Sequence, residues 1–244
     1  LIGVIGISDA RGDFFPMNSN DRIPSDPSPA KRTIVIGDVH GCFQELMTLL
    51  KAVEVRPSDD VICVGDLVRK GPDGAKVLRW AMETPNVRCV LGNHEARLVS
   101  HWLEGKEPSR NSPDGAMRRQ LGVSYNAAMD FIRSWPLFIE EEGFLVVHAG
   151  LDPRGGPVRQ QNPHDLLTIR IPEGMKVPWY DAYRGENLVV FGHWANEEPV
   201  IRPNAIGLDT GCVYGGRLSA VILPERQVIS VPAVRIHQKY SSRQ

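Results

Sequence analysis

The sequence predicts an α/β fold in which two β-sheets pack face to face as a sandwich, flanked by helices and interrupted by a helical insertion. Three observations carry that prediction. The first hundred residues repeat a strand, a polar motif and a helix three times, an order that builds a parallel sheet with right-handed crossovers. A polar stretch with helical character and Gly and Pro breaks (Gly105, Pro108, Pro113, Gly115, Gly122) occupies 100–134. The second half is then rich in short strands with short connections, which suits a second sheet packed against the first.

The elements follow in chain order. Residues 16–31 are dense in Pro, Ser, Asn and Asp and lack periodicity, which is linker composition. Residues 1–31 are therefore read as an irregular N-terminal segment, 32–234 as the ordered domain with its insertion at about 100–134, and 235–244 as a tail. The apolar run 1–7 is far too short to span a bilayer, and an opening Leu instead of Met suggests a longer parent chain. Thr33–Ile36 is a β-branched run, and the spacing of Leu46, Leu49, Leu50 and Val53 predicts a helix over 43–53. A second strand is expected at 60–64. Lys70-Gly71-Pro72 breaks the chain, and Asp73 is expected to cap a helix over 74–82. A third strand at 87–91 precedes a helix from His94. After Pro136, segments 138–142 and 144–147 read as a hairpin turning at Gly143. Strands at Leu188–Phe191, 205–208, 218–223 and 227–231 are all assigned to the second sheet.

Composition narrows the partners. Lys plus Arg number 28 and Asp plus Glu 29, so no basic field points to general nucleic-acid or membrane affinity. Cys42, Cys63, Cys89 and Cys212 contain no C-x-x-C pair, which argues against a zinc knuckle and fits a cytoplasmic or other reducing compartment. Outside the motifs, His101, His164 and His237 read as solvated, and Trp179, Tyr180 and Tyr183 as core, with base stacking the alternative.

Chemistry concentrates at five short motifs, each closing a strand or lying just beyond it: Gly37-Asp38-Val39-His40-Gly41, Gly65-Asp66, Gly92-Asn93-His94-Glu95, His148-Ala149-Gly150 and Gly192-His193. The carboxyl edge of an open α/β sheet is where ligands bind. Asp38 and His40 can chelate one divalent cation, and Asp66 can bridge two. Asn93 offers a neutral oxygen, and His148 and His193 offer imidazole nitrogens. A mixed oxygen and nitrogen set without thiolate suits Mn, Fe or Zn over Ca or Mg. Glu95 reads as a supporting residue at a helix start, not a ligand.

In this order, Gly-Asp-x-His-Gly, Gly-Asp-Leu-Val-x-Lys-Gly-Pro, Gly-Asn-His-Glu, His-Ala-Gly-Leu and Phe-Gly-His-Trp resemble the calcineurin-like metallophosphoesterases. The nearest branch is the diadenosine-tetraphosphatase-like (ApaH-like) phosphatases of the phosphoprotein phosphatase superfamily. The likeness spans about 32–223 and includes Gly207-Leu208-Asp209-Thr210-Gly211-Cys212. It implies that Asp38, His40 and Asp66 hold one metal and that Asp66, Asn93, His148 and His193 hold another. Mn is the first expectation, with Fe, Zn or Co as alternatives. It makes His94 the general acid, and Lys70 and Arg170 the phosphate-binding cations. Arg69 is a departure, because phosphoprotein phosphatases carry there an Asp that orients the catalytic His.

The implied function is hydrolysis of a phosphoester or phosphoanhydride by a hydroxide shared between two metals. The expected substrate is a phosphate-bearing small molecule such as diadenosine tetraphosphate, cleaved symmetrically, or a phosphorylated polymer. Rival readings within the fold are a serine/threonine phosphoprotein phosphatase, a polyphosphatase and an RNA-cap hydrolase. A non-catalytic metal-binding scaffold is the rival from another class.

Overall fold

The computed structural model describes residues 32–239; segment 1–31 and the last five residues of the expected tail, 240–244, lie outside the described residues. The first three repeats fold as read. β1 (Thr33–Ile36), α1 (Phe43–Ala52), β2 (Asp60–Cys63), α2 (Gly74–Glu83), β3 (Val87–Cys89) and α3 (Asn93–Leu103) alternate, with β1, β2 and β3 parallel in register. Asp73 does stand at the N-cap of α2, but its side chain caps nothing and instead pairs with Lys76 at 2.8 Å.

The insertion supplies α4 (Pro113–Leu121) and α5 (Tyr125–Arg133). Ser112 caps α4 by accepting from the Gly115 N–H, as an N-cap Ser should. α4 packs on α2, and α5 packs on α3 and α2.

The hairpin β4 (Phe138–Glu141) and β5 (Phe144–Val147) pairs antiparallel across Gly143, whose φ of +82° suits glycine. Short helices α6 (Pro163–Thr168) and α7 (Trp179–Ala182) follow, then β6 (Leu188–Phe191), β7 (Val200–Arg202), β8 (Ala205–Gly207), β9 (Arg217–Leu223) and β10 (Gln227–Pro232). Here the sheet assignment needs correction. Only β4, β5, β6, β8 and β7, in that order, form the second sheet. β9 returns antiparallel against β1, and β10 against β9, so the first sheet runs β10-β9-β1-β2-β3. Chain order alone does not say which open edge a late antiparallel strand will join.

Alternation along the strands sorts the core into three layers. Val35, Ile62, Val64 and Val221 of the first sheet meet Val146, Val190 and Ile206 of the second. Ile34, Ile36, Val61 and Cys63 face the helices on the outer side of the first sheet. Val147, Val189 and Phe191 face Trp179 and Tyr180 on the outer side of the second. Strands buried on both faces must be apolar throughout, which explains the unbroken TIVI and LVVF runs. Trp179 and Tyr180 are thereby core residues, as expected.

Candidate active site

The packing of the two sheets brings the carboxyl ends of β1, β2, β3, β5 and β6 together, and with them all five motifs. Their turns are sharp. Seven non-glycine residues have positive φ among those described, and five of them, His40, Asp66, Arg69, Lys70 and His193, belong to these loops. Left-handed backbone at non-glycine positions costs energy and clusters at functional sites. Close approach is enforced twice more: a Cβ on Gly92 would collide with Asp66 Oδ1, and one on Gly192 with Asp38 Oδ1.

Asp66 lies at the centre. Its Oδ2 is 3.5 Å from His40 Nε2 and 3.9 Å from His94 Nε2, while its Oδ1 is 3.6 Å from His148 Nε2. Asn93 Oδ1 is 3.0 Å from His148 Nε2 and 3.2 Å from His193 Nδ1. Asp38 joins Asp66 and His148 in one buried cluster, and its Oδ1 accepts from the His193 N–H at 3.1 Å.

The tautomers are decisive. His40 Nδ1 donates to the Val68 carbonyl, His148 Nδ1 to the Val64 carbonyl, and His193 to the Thr168 carbonyl. A carbonyl can only accept, so in each neutral ring the other nitrogen keeps a bare lone pair. In His148 and His193 those lone pairs point at the amide oxygen of Asn93. Acceptor facing acceptor is repulsive unless a cation stands between, and a ligand imidazole held by a carbonyl behind it is the usual second shell of a metal. His40 Nε2 accepts from Lys70 Nζ at 3.0 Å.

Electrostatics agree. Burial, followed by the charges of Asp209 and Asp66, pushes the Asp38 carboxyl well up. Burial raises Asp66 to about 7, against the opposing pull of Lys70. The imidazoles move the other way: burial lowers His148 to about 4, and burial with the neighbouring His148 and Arg170 lowers His193 to about 2. Neutral imidazoles beside crowded carboxylates are what divalent cations require of their ligands. The donor set therefore fits such ions.

Supporting residues complete the frame. Glu95 is fully buried; its Oε2 accepts from the Asp66 N–H at 2.7 Å and its Oε1 from the Val68 N–H at 3.0 Å. It pins the bend that carries Asp66 and Lys70, the supporting role expected of it. Arg69 makes a paired contact with Asp114 of α4, at 3.1 and 3.0 Å. Among the described residues no carboxylate takes the orienting position behind His94. Its ring packs edge-on against His40 at 5.0 Å, and its buried Nδ1 has no hydrogen-bond partner among the described residues. Burial, then Lys70 and Arg69, lowers His94 to about 2.

Beside the cluster opens a cavity of about 410 Å³ lined by Asp66, Lys70, Asn93, His94, Arg97, Thr168, Arg170 and His193. Lys70 and Arg170 both line it, no residue of 100–134 does, and the insertion meets the site's loops through the Asp114 contact to Arg69.

Two residues escaped the sequence reading. Arg97 lies four residues after Asn93 and three after His94 on α3, a helical spacing that puts it on their face. Asp209 follows β8 as Asp38 follows β1; it is buried, and its charge acts on Asp38. His237 also needs correction. It is not solvated, since its Nε2 lies 3.2 Å from the buried carboxylate of Glu45.

Divalent cations held beside a cation-lined cavity are the equipment of a metallophosphoesterase, the class to which fold and site point. The chain belongs to the calcineurin-like phosphoesterase family, whose profile matches residues 31–228. It is a hydrolase of phosphoester or phosphoanhydride bonds, and its family implies divalent metal ions. It is 31% identical to an asymmetrical bis(5'-nucleosyl)-tetraphosphatase of Anoxybacillus flavithermus, over 82% of this chain and 93% of that one. It is also 31% identical to a symmetrical bis(5'-nucleosyl)-tetraphosphatase of Paracidovorax citrulli, over 80% and 95%. A crystal structure provisionally assigned as a diadenosine tetraphosphatase superposes with a TM-score of 0.73 at 34% identity, covering 85% of this chain and 96% of that one. A serine/threonine phosphatase of Saccharomyces cerevisiae shares the fold, with a TM-score of 0.60 at 14% identity over 88% and 82%. Among the described residues no helix is long and apolar enough to cross a membrane.

Proposed function

We propose that this protein hydrolyses dinucleoside polyphosphates, cutting diadenosine tetraphosphate symmetrically into two ADP. The observation that carries this reading is the charge of the cavity, where Lys70, Arg97 and Arg170 line one space beside the metal-type donors. One phosphate monoester needs a single clamp, whereas a polyphosphate chain presents several charges in a row. The names of the relatives support the substrate class, and because both cleavage modes occur among them, the products formed are the test.

In this reading Asp38, His40 and Asp66 hold one divalent ion, and Asp66, Asn93, His148 and His193 hold a second, with manganese the first choice. When bound, such ions supply Lewis-acid stabilisation of charge on the phosphoryl oxygens and activate water near neutral pH. Lys70 and Arg170 bind and orient the scissile phosphoryl group, and Arg97 takes up charge further along the chain. His94 carries a proton at Nε2 to the leaving oxygen. Burial, Lys70 and Arg69 disfavour its imidazolium, and anionic substrate between these groups offsets the two cations and restores it.

The phosphoprotein reading is weaker because Arg69 is committed to Asp114 and no described residue replaces the Asp that would orient His94. The scaffold reading yields to the hydrolase shown by family membership. Four buried free cysteines are in keeping with a reducing compartment.

A panel of phosphoesters and anhydrides with Mn²⁺, scored by product, tests the substrate. Two ADP from diadenosine tetraphosphate supports the proposal; ATP plus AMP removes symmetrical cleavage; strong preference for phosphopeptides overturns the anhydride class.

A further inference from the structure

A second cavity, of about 630 Å³, adjoins the first and shares Thr168 and Arg170 with it. It contains none of the expected metal ligands. Its volume lies within the range of small-ligand sites, and its lining differs in kind from that of its neighbour. The cationic residue Arg154 is occupied there: its Nε donates to Asp152 Oδ1 at 2.9 Å and its Nη2 to Asp152 Oδ2 at 2.6 Å. The remaining acids, Asp165 and Glu173, face the same space. Another phosphate would find no cation of its own beyond Arg170 and would meet two carboxylates. An uncharged group with hydroxyl or amino donors would be welcome.

The walls add flat and apolar surface. Trp194, the residue directly after His193, lines this cavity with its indole 5.6 Å from the Arg170 guanidinium carbon. Ile171 contributes an apolar side chain that is 49% exposed. Of the three aromatics the sequence offered for stacking, Trp179 and Tyr180 are closed into the core and Tyr183 packs against it, and none of them lines this cavity, which leaves Trp194 as the aromatic facing this opening.

We propose that the second cavity is a nucleoside subsite. The phosphate chain occupies the cationic cavity, Arg170 spans the junction, and the base and sugar of one end enter beside Trp194 and Ile171, with Asp165 accepting hydrogen bonds from them. Arg170 is well suited to this boundary, since one guanidinium can pair with phosphate oxygen and lie over an aromatic ring. This subsite rests on the anhydride reading above and adds to it what distinguishes a nucleotide from inorganic polyphosphate.

The test compares kcat/KM for diadenosine tetraphosphate and for inorganic tripolyphosphate in the full Mn²⁺-loaded chain. Trp194→Ala removes the stacking face; Ile171→Asp places an additional negative charge at an exposed position away from the metal loops. Each is expected to lower the ratio of the two kcat/KM values roughly tenfold, through the KM for the nucleotide, as loss of one base-stacking contact does. An unchanged ratio in both variants overturns the subsite while leaving the anhydride reading intact. An equal fall for both substrates also overturns it, because Trp194 would then merely brace His193. A wild type that cleaves an aryl phosphate but neither anhydride overturns the subsite and the anhydride reading together.

Discussion

Among the described residues two buried clusters carry side chains able to bind a metal, and they behave in opposite ways. At the ends of β1, β2 and β3 with β5 and β6, Asp38 and Asp66 crowd together, the imidazoles of His148 and His193 turn lone pairs toward the amide oxygen of Asn93, and burial drives carboxyls up and imidazoles down. A few residues away, Cys42, Glu45 and Cys212 also lie within ligand distance of each other and are as deeply buried. There the groups pair donor with acceptor. Glu45 Oε1 receives the Val234 N–H at 3.0 Å and a hydrogen bond from His237 Nε2 at 3.2 Å, and the thiols of Cys42 and Cys212 share a hydrogen bond. Burial pushes Glu45 up, yet these hydrogen bonds carry it below its ordinary value. Proximity of potential ligands is common to both clusters; unresolved repulsion belongs to one. A folded chain keeps such repulsion where a ligand relieves it, and spends complementary pairs where stability is the purpose.

That contrast can be broken by exchanging the outcomes of mutation. The largest effect is expected for Asp66→Asn, which should reduce turnover by roughly 10³-fold or more while leaving the metal-free melting temperature equal or higher, because a crowded carboxylate is gone. A lowered melting temperature would show that Asp66 is structural. His94→Asn should retain bound metal, measured by elemental analysis, and lose roughly 10²–10⁴-fold in turnover. Near-normal rates would remove His94 as the acid. Metal removal with EDTA should abolish activity and lower the melting temperature, since a ligand at a hundred times its dissociation constant stabilises by about 2.7 kcal/mol. In the closed cluster the signs reverse. Glu45→Ala should cost about 1–3 kcal/mol of stability by orphaning the Val234 N–H, read by denaturant unfolding, with kcat/KM altered only a few-fold below the melting temperature. The smallest effect is expected for Arg97→Ala. An exposed cation contributes up to about 1 kcal/mol, so kcat/KM for diadenosine tetraphosphate should fall about fivefold at low salt and less at high salt.

Much of this was legible in the chain. The strand, motif and helix repeat announces itself in Thr33–Ile36 and the Leu46–Leu49–Leu50 spacing, and each motif ends in the residue types that bind divalent cations. Arg97 was hidden because a single Arg on an exposed helix is ordinary until the cavity beside it is known. Asp209 was quoted only as part of a signature, although its place after a strand matches that of Asp38. β9 and β10 were placed in the wrong sheet because their residues suit either sheet, and the choice between two open edges is made by tertiary packing.

Local periodicity and residue chemistry, which act over a few neighbours, determined from sequence alone the elements and the two-sheet class, and singled out six candidate donor residues. Only the tertiary structure decided which nitrogen of each histidine is bare, since Val64, Val68 and Thr168 supply carbonyls from segments 25 to 84 residues away from the rings they fix. It likewise decided that Lys70, Arg97 and Arg170 share one cavity and that Trp194 faces another. Hydrogen bonds and fields depend on distance in space, and that distance is set by how the two sheets pack.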